Sequence, residues 1–323
     1  MKTYLLVDMS NILYRAFYAN IREDEDILVS MCHHSGLMTM QYLNNKYNPD
    51  EIVAVFDSTS WRKAYTKYAS ISHKKYKGNR RQNLTVRQQE QLAVFDNHIV
   101  EFYEFIRDHS SLIVLKAPML ECDDLVAEFI DSHPDDKHIL ISTDKDFMQL
   151  LDNKNVTLIE PDKEKQRTLD DWNGDSKHFM FEKCIRGDTS DNVQSSYPKI
   201  RKTKIDEAYT DSYLRTNLMN HEFDVEVLQD DGTMKTHHYK TEDLYIENIL
   251  LMDLRQQPPE IKRTMKKAVT KALKERGTFN LIQFYKFCGK HELERIQDNP
   301  KTITKMLNTR AKPEFGDLGD IFG

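Results

Sequence analysis

Short apolar, β-branched runs alternate with longer amphipathic stretches through the first half of the chain. The runs "YLLVD" (4–8), "EIVAVFD" (51–57), "SLIVLK" (111–116), "HILIS" (138–142) and "NVTLIE" (155–160) are bounded by acids or turn residues, which predicts buried strands. Between them, 24–47, 85–109, 121–132 and 144–151 repeat their apolar positions at helical spacing. Strands alternating with helices predict an α/β fold, a central and mostly parallel sheet flanked by helices. Beyond about residue 176 the pattern turns mostly helical, over 176–186, 203–219, 241–252, 259–276, 278–288 and 299–309. "QDDGTMKTHHY" (229–239) reads as a hairpin or loop about Asp231-Gly232. The end, "AKPEFGDLGDIFG", has one proline and three glycines and is not expected to pack as a helix.

Acids mark the ends of the predicted strands. Asp8, Asp57 and Asp144 each stand where a parallel sheet forms its binding crevice, beyond the carboxyl ends of the strands. "STDKDF" adds Asp146 two residues after Asp144, "LECDDLVAEFI" puts Glu121, Asp123 and Asp124 at the start of a helix, and "CIRGDTSDN" spaces Asp188 and Asp191 by three. Any one cluster is explained by the liking of acids for helix N-termini and turns. Together they are not, because nine carboxylates on one crevice would repel each other unless cations were present. Oxygen donors without histidine or cysteine suit Mg²⁺ or Mn²⁺, and two such ions a few ångströms apart suit phosphodiester hydrolysis.

Composition adds little until the charge is mapped. The 323 residues are 30% charged and 39% hydrophobic, with a formal charge of −6, as a soluble globular protein would be. No apolar run is long enough to span a membrane, and an acid at Asp8 interrupts any signal-peptide core. Cys32, Cys122, Cys184 and Cys288 form no CxxC pair, which predicts reduced thiols and a cytoplasmic protein. The net charge hides basic patches. From Trp61 to Gln89 there is no acid, while Arg62, Lys63, Lys67, Lys74, Lys75, Lys77, Arg80, Arg81 and Arg87 are cationic and Trp61, Tyr65, Tyr68 and Tyr76 are interleaved. Cations with aromatics are what single-stranded nucleic acid requires. Further basic segments run through "PKIRKTK" from Pro198 and from Arg255 to Arg276.

The ordered motifs "VDMSN", "VFDS", "YKGNR", "ECDD", "STDKDF" and "GDTSDN" resemble the 5′-nuclease (flap endonuclease) superfamily over roughly residues 3–310. Within it, the whole chain looks most like the T-even-type phage branch, whose members carry ribonuclease H activity. The resemblance implies a PIN-like nuclease core over 1–185, with a helical arch near 60–90 that gathers a single-stranded 5′ end. It also implies a helical C-terminal region, 186–310, with duplex-binding elements like a helix–three-turn–helix. Asp8, Asp57, Glu121, Asp123 and Asp124 would form a first metal site, and Asp144, Asp146, Asp188 and Asp191 a second, filled by Mg²⁺ or Mn²⁺. The catalytic set it implies is Asp8, Asp57, Lys77, Arg80, Asp123, Asp144 and Asp146. Tyr76, Lys77 and Arg80 of "YKGNR" would stack on and neutralise the scissile region. The family's glycine-rich hairpin after "GDxSDN" is here "VQSSYPKIRKTKIDEAY", so Lys199, Arg201, Lys202 and Lys204 would serve through side chains.

These readings converge on a metal-dependent 5′→3′ exonuclease and flap endonuclease, acting on RNA primers and 5′ flaps at phage replication forks. Expected partners are branched or nicked duplex DNA and RNA–DNA hybrids, with Lys262 and Lys266 of the last basic segment on the duplex, and a single-strand binding protein. The tail residues Leu318, Ile321 and Phe322 resemble a sliding-clamp-binding peptide within a flexible 311–323. No membrane partner is expected, and the protein is expected to be a monomer. A PIN-type ribonuclease would be shorter and lack the arch, and a catalytically dead DNA-binding relative would show substitutions among the acids.

Overall fold

The computed structural model describes residues 1–80, 82, 84–228 and 232–309. Arg81, Asp231 and the tail residues Leu318, Ile321 and Phe322 lie outside them. The first half runs β1 (Thr3–Asp8), α1 (Met9–Ala19), α2 (Glu25–Tyr47), β2 (Glu51–Val55), α3 (Trp61–Tyr68), α4 (Val86–His109), β3 (Ile113–Leu115), α5 (Cys122–Ser132) and β4 (Lys137–Ile141). A 3₁₀ helix, Lys145–Asp152, then leads to β5 (Val156–Glu160) and the short β6 (Lys165–Gln166). All five predicted strands form, in the order β3-β2-β1-β4-β5-β6, and every pair is parallel except β5 with β6.

Chain direction across the sheet reverses at β1, since β1 is followed on one side by β2 and on the other by β4. A parallel sheet opens its binding crevice at such a switch point. Register levels the acids there: Asp8 faces Val55, two residues before Asp57, and Val7 faces Ile141, three before Asp144. Both sheet faces are covered. Leu5, Val7, Ile52 and Ala54 pack with α1, α2 and α4, whereas Leu6, Val53, Val55 and Leu140 pack with α5 and, from later in the chain, with Met265 and Val269.

The second half comprises α6 (Ser176–Arg186), α7 (Lys202–Thr210), α8 (Ser212–Met219), the hairpin β7 (Glu222–Leu228) and β8 (Met234–Lys240), α9 (Thr241–Met252), α10 (Pro259–Lys274), α11 (Leu281–Lys290), α12 (Glu294–Asp298) and α13 (Lys301–Leu307). One predicted helix, 203–219, is two. Asp211 breaks it and caps the second piece by accepting from the Tyr213 and Leu214 amides. The expected division at residue 185 does not follow the packing. Phe284, Phe287, Ile303 and Met306 share a core with Leu5 and Val7, and Met265 and Val269 share one with Leu6. Among the described residues two small clusters stand apart from the sheet, one with Phe181, Ile185, Ile200, Ile205 and Leu218 and one with Tyr76, Cys184, Val193, Leu251 and Met252.

The stretch expected as an arch is helical over Trp61–Tyr68 and resumes a helix at Val86, where Thr85 and Gln88 form a capping box worth about 1 kcal/mol. Of the described residues between, Lys77 and Arg80 reach down to the acids Glu121 and Asp191. Buried Glu247 of α9 accepts from the Ile71 and Ser72 amides at 2.8 and 3.1 Å.

Candidate active site

Hydrogen bonds fix the strand-end carboxylates in place. Asp8 ends β1 and caps α1, accepting from the Asn11 amide at 2.9 Å. Its other oxygen accepts from Ser142 Oγ at 2.9 Å, and Ser142 Oγ also accepts from the Asp144 amide at 3.1 Å. One hydroxyl thus spaces Asp8 from Asp144. Asp57 accepts from the Cys122 amide at the start of α5, 2.7 Å away, and its own amide donates to Ser10 Oγ at 2.8 Å. Asp144 accepts from the Asp146 amide, which turns the chain from strand to 3₁₀ helix. The chain therefore does not continue as a strand through the two acids, and they do not share a strand face.

The acids divide by partner. Glu121 is bound by Lys77, by Arg62 at 3.2 Å and by Ser60. Asp124 accepts from the two terminal guanidinium nitrogens of Arg62, each at 2.9 Å. Lys183 bridges Asp146 and Asp188, and Asp191 holds Arg80 at 2.6 Å, the Tyr76 hydroxyl at 2.7 Å and Lys77 at 3.7 Å. Asp8, Asp57, Asp123 and Asp144 have no cationic partner within ion-pair distance among the described residues. Asp57 and Asp144 are open to solvent, so this unpaired quartet lines a reachable cleft.

Titration follows the same division. Burial and the Asp57 charge raise Asp8 to about 7. Crowding by protein atoms and the Glu121 charge raise Asp57, with water on its open side softening the effect, and burial with the Asp124 charge raises Asp123. Crowding by protein atoms and the Asp146 charge raise Asp144, though water reaching its open side softens the repulsion. Burial also opposes ionisation of Glu121 and Asp188, but there the cations win: Lys77 and Arg62 bring Glu121 down to about 2, and Lys183 lowers Asp188. Four under-compensated oxygen donors, with no nitrogen or sulfur ligand among them, fit hard divalent cations.

Two expected nucleic-acid contacts are instead buried. Arg62 is 1% exposed, with its Nε donating to the Leu251 carbonyl at 2.7 Å and the rest of its head on Asp124 and Glu121. Tyr76 is 5% exposed and cannot offer a face for stacking. Both lie in an acid-free stretch, but the nearest acids in space come from α5 and the loop after α6. The expected ligand Asp124 is corrected for the same reason: it is fully buried and its oxygens are occupied by Arg62 and Gln257. Its closeness to Glu121 and Asp123 does not free it for an ion.

Lys77 does face the cleft. Its backbone is left-handed, φ +56, held by its amide on the Asp191 carbonyl at 2.8 Å. Asn79 Nδ2 donates to the Thr189 carbonyl and Asn192 Nδ2 to the Lys75 carbonyl, so "YKGNR" is zipped to "GDTSDN". Gly187 permits this loop: its φ is +67, and an added Cβ would lie 2.7 Å from the Gln194 carbonyl. Lys63, Lys67, Lys199, Arg201, Lys204, Lys262 and Lys266 are exposed, Lys74 is half-buried, and Lys75 is exposed. Lys202 is held by Glu182 and Asp206 at 2.8 and 3.3 Å. Sequence reasoning missed Lys183, Ser142 and Ser10. Lys183 had a signal, a lysine in the last helical turn before "GD"; the serines had none.

Three comparisons bear on this site. The family described as the 5′-3′ exonuclease N-terminal, resolvase-like domain matches residues 3–178. A 5′-3′ exonuclease of Buchnera aphidicola subsp. Baizongia pistaciae is 28% identical over 199 residues, which are 59% of this chain and 60% of that protein. The chain therefore matches less than two thirds of that relative's length. Among solved structures, a bacteriophage T5 flap endonuclease in a pseudo-enzyme–product complex with DNA and metal ions aligns with TM-score 0.60 at 17% identity, covering 84% of this chain and 100% of that one. A T5 5′-exonuclease with bound zinc aligns with TM-score 0.60 at 18% identity, over 84% and 99% of the two chains. At such identities the likeness establishes the fold.

Proposed function

We propose a function from this premise: the chain belongs to the 5′-3′ exonuclease family, in the 5′-nuclease superfamily, through the N-terminal domain over residues 3–178. The protein hydrolyses phosphodiester bonds near the 5′ ends of nucleic acids, as exonuclease and flap endonuclease. The observation that carries this is the quartet Asp8, Asp57, Asp123 and Asp144, unpaired at the switch point while the acids around it are neutralised. These four would hold two divalent cations, Mg²⁺ or Mn²⁺, which supply an acidified water and a counter-charge for the departing oxygen.

The chain's own part is positioning. Ser142 Oγ and the Cys122 amide fix the directions of the Asp8 and Asp57 carboxylates, and Ser10 Oγ holds the Asp57 backbone amide. Lys77, with Arg80 at the rim, presents positive charge to a phosphate at the cleft. Exposed Lys63 and Lys67 lead a single strand toward it. The exposed cations at the start of α7 and along α10 suit the duplex. RNA primers and 5′ flaps of a phage lagging strand are the substrates we assign, with ribonuclease H activity as a consequence. Digestion of 5′-labelled and 3′-labelled flap, nicked and RNA-primed duplexes with Mg²⁺ is expected to release short 5′ products. Products released only from 3′ ends, or cleavage undiminished in chelator, would remove this reading.

Lys77→Ala is expected to lower turnover by about 10²–10³ and leave duplex affinity within a few-fold, because a cation at the scissile phosphate acts on developing charge. Single-turnover rates alongside equilibrium binding separate the two; an equal loss in both would make Lys77 a plain binding residue. On α10, Met265 and Val269 are buried and Lys262 and Lys266 point outward. Reversing both to glutamate is expected to weaken duplex binding and flatten the slope of log K against log salt by about 2. An unchanged slope would leave α10 a solvated helix face.

A further inference from the structure

Between α2, α4 and the end of α11 lies a cluster of histidines that the acidic cleft does not use. His98 and Glu101 are three residues apart on α4 and so share a face, and His291 caps the end of α11. Glu101 Oε2 lies 3.5 Å from His98 Nδ1 and 3.4 Å from His291 Nε2. Neither ring nitrogen makes a hydrogen bond among the described residues, although both are buried, and one ligand atom from each of the three residues lies within 4.8 Å of the others. His291 is 6% exposed.

Packing accounts for part of this. His33 stacks on Phe102, and His291 meets Phe287 at 4.6 Å between centroids. It does not account for two ring nitrogens gathered on one carboxylate oxygen without bonding to it. A four-coordinate ion does. Ligand atoms about 2.0–2.1 Å from zinc stand roughly 3.3 Å apart, close to both separations here. Two imidazoles with one carboxylate are a zinc donor set, distinct from the oxygen-only cleft.

We propose that His98 Nδ1, Glu101 Oε2 and His291 Nε2 form a zinc site, with water as the fourth ligand, that staples the end of α11 to α4. His33 supports it from behind, where its Nε2 lies 3.2 Å from the His98 carbonyl and so donates to it. Lys290 Nζ donates to the same Glu101 Oε2 at 2.9 Å in the metal-free protein, and it must leave that oxygen for an ion to bind. Its side chain is 60% exposed, so it can swing into water when an ion arrives.

The cleft also attracts divalent cations, so the test uses excess Mg²⁺ to fill it and Co²⁺ as the probe. Four-coordinate cobalt with imidazole ligands absorbs strongly in the visible, and six-coordinate cobalt among oxygens does so weakly. The full-length protein is expected to develop the strong band, saturate at one equivalent and lose it on adding Zn²⁺. His98→Ala is expected to abolish the band. Glu101→Gln, at a solvent-reached position that tolerates change, is expected to weaken cobalt affinity by roughly a hundredfold. Zn²⁺ in excess Mg²⁺ is expected to raise the melting temperature of the wild type and leave that of Glu101→Gln unmoved. No strong band in the wild type, or equal cobalt affinity in Glu101→Gln, overturns the site.

Discussion

Asp8→Asn is expected to cut hydrolysis by at least about a thousandfold while making the metal-free protein more stable. The first effect follows from removing charge at the centre of a preorganised site. The second follows from the burial of Asp8, 5% exposed, beside Asp57 with no cationic partner among the described residues. Its folded pKa of about 7 lies above the ordinary carboxyl value of 3.8. Below the lower value the side chain is protonated whether the chain is folded or not, and it costs nothing. As pH rises, the unfolded chain ionises first and gains on the folded one, until the folded carboxyl ionises near 7. In chelator, the stability contributed by the protonated group is therefore lost between about pH 4 and pH 7, by at most about 4 kcal/mol. The asparagine variant lacks that loss, so its advantage over the wild type grows across the window. Saturating Mg²⁺ reverses the order, because the ion binds the wild type better. Urea unfolding at both ends of the window, with and without Mg²⁺, checks each part. A gap between the variants that is independent of pH would mean that repulsion is not what Asp8 experiences.

Arg62→Met is expected to cost about 3–5 kcal/mol, the largest stability loss of any single cation here. It strands fully buried Asp124 without a counter-charge, and leaves Glu121 with Lys77 as its one ion-pair partner among the described residues. Replacing both members, Arg62→Met with Asp124→Leu, is expected to recover most of the loss, since an apolar pair of similar volume needs no counter-charge. Denaturation in Mg²⁺ measures both variants. Affinity of the folded single mutant for flap DNA, read well below its melting temperature, should match the wild type. Near-normal stability with weakened binding would return Arg62 to the nucleic-acid surface that its sequence neighbours suggest.

Much of the sheet and of the cleft was legible from the chain. Strands buried on both faces read as apolar runs, and a parallel sheet needs crossovers, so "YLLVD", "EIVAVFD" and "HILIS" fixed where Asp8, Asp57 and Asp144 stand. Helix α1 was missed because it starts at the residue after β1, with Asp8 serving as both strand end and cap. Strand β7 was missed although "EFDVEV" alternates apolar with acidic positions, since the region around it reads as helical.

The acids as a set, then, belong to the sequence, because spacing along a strand and position at its end are local properties. Which of them are free to hold an ion belongs to the tertiary structure. Arg62 and Asp124 meet across 62 residues, Lys77 and Asp191 across more than a hundred, and Lys183 closes on Asp146 from a different helix. Charge falls off with distance in space and is indifferent to distance in sequence. An acid-free stretch of lysines and arginines therefore shows that cations are present, while only packing decides whether each one meets a phosphate, a carboxylate or water.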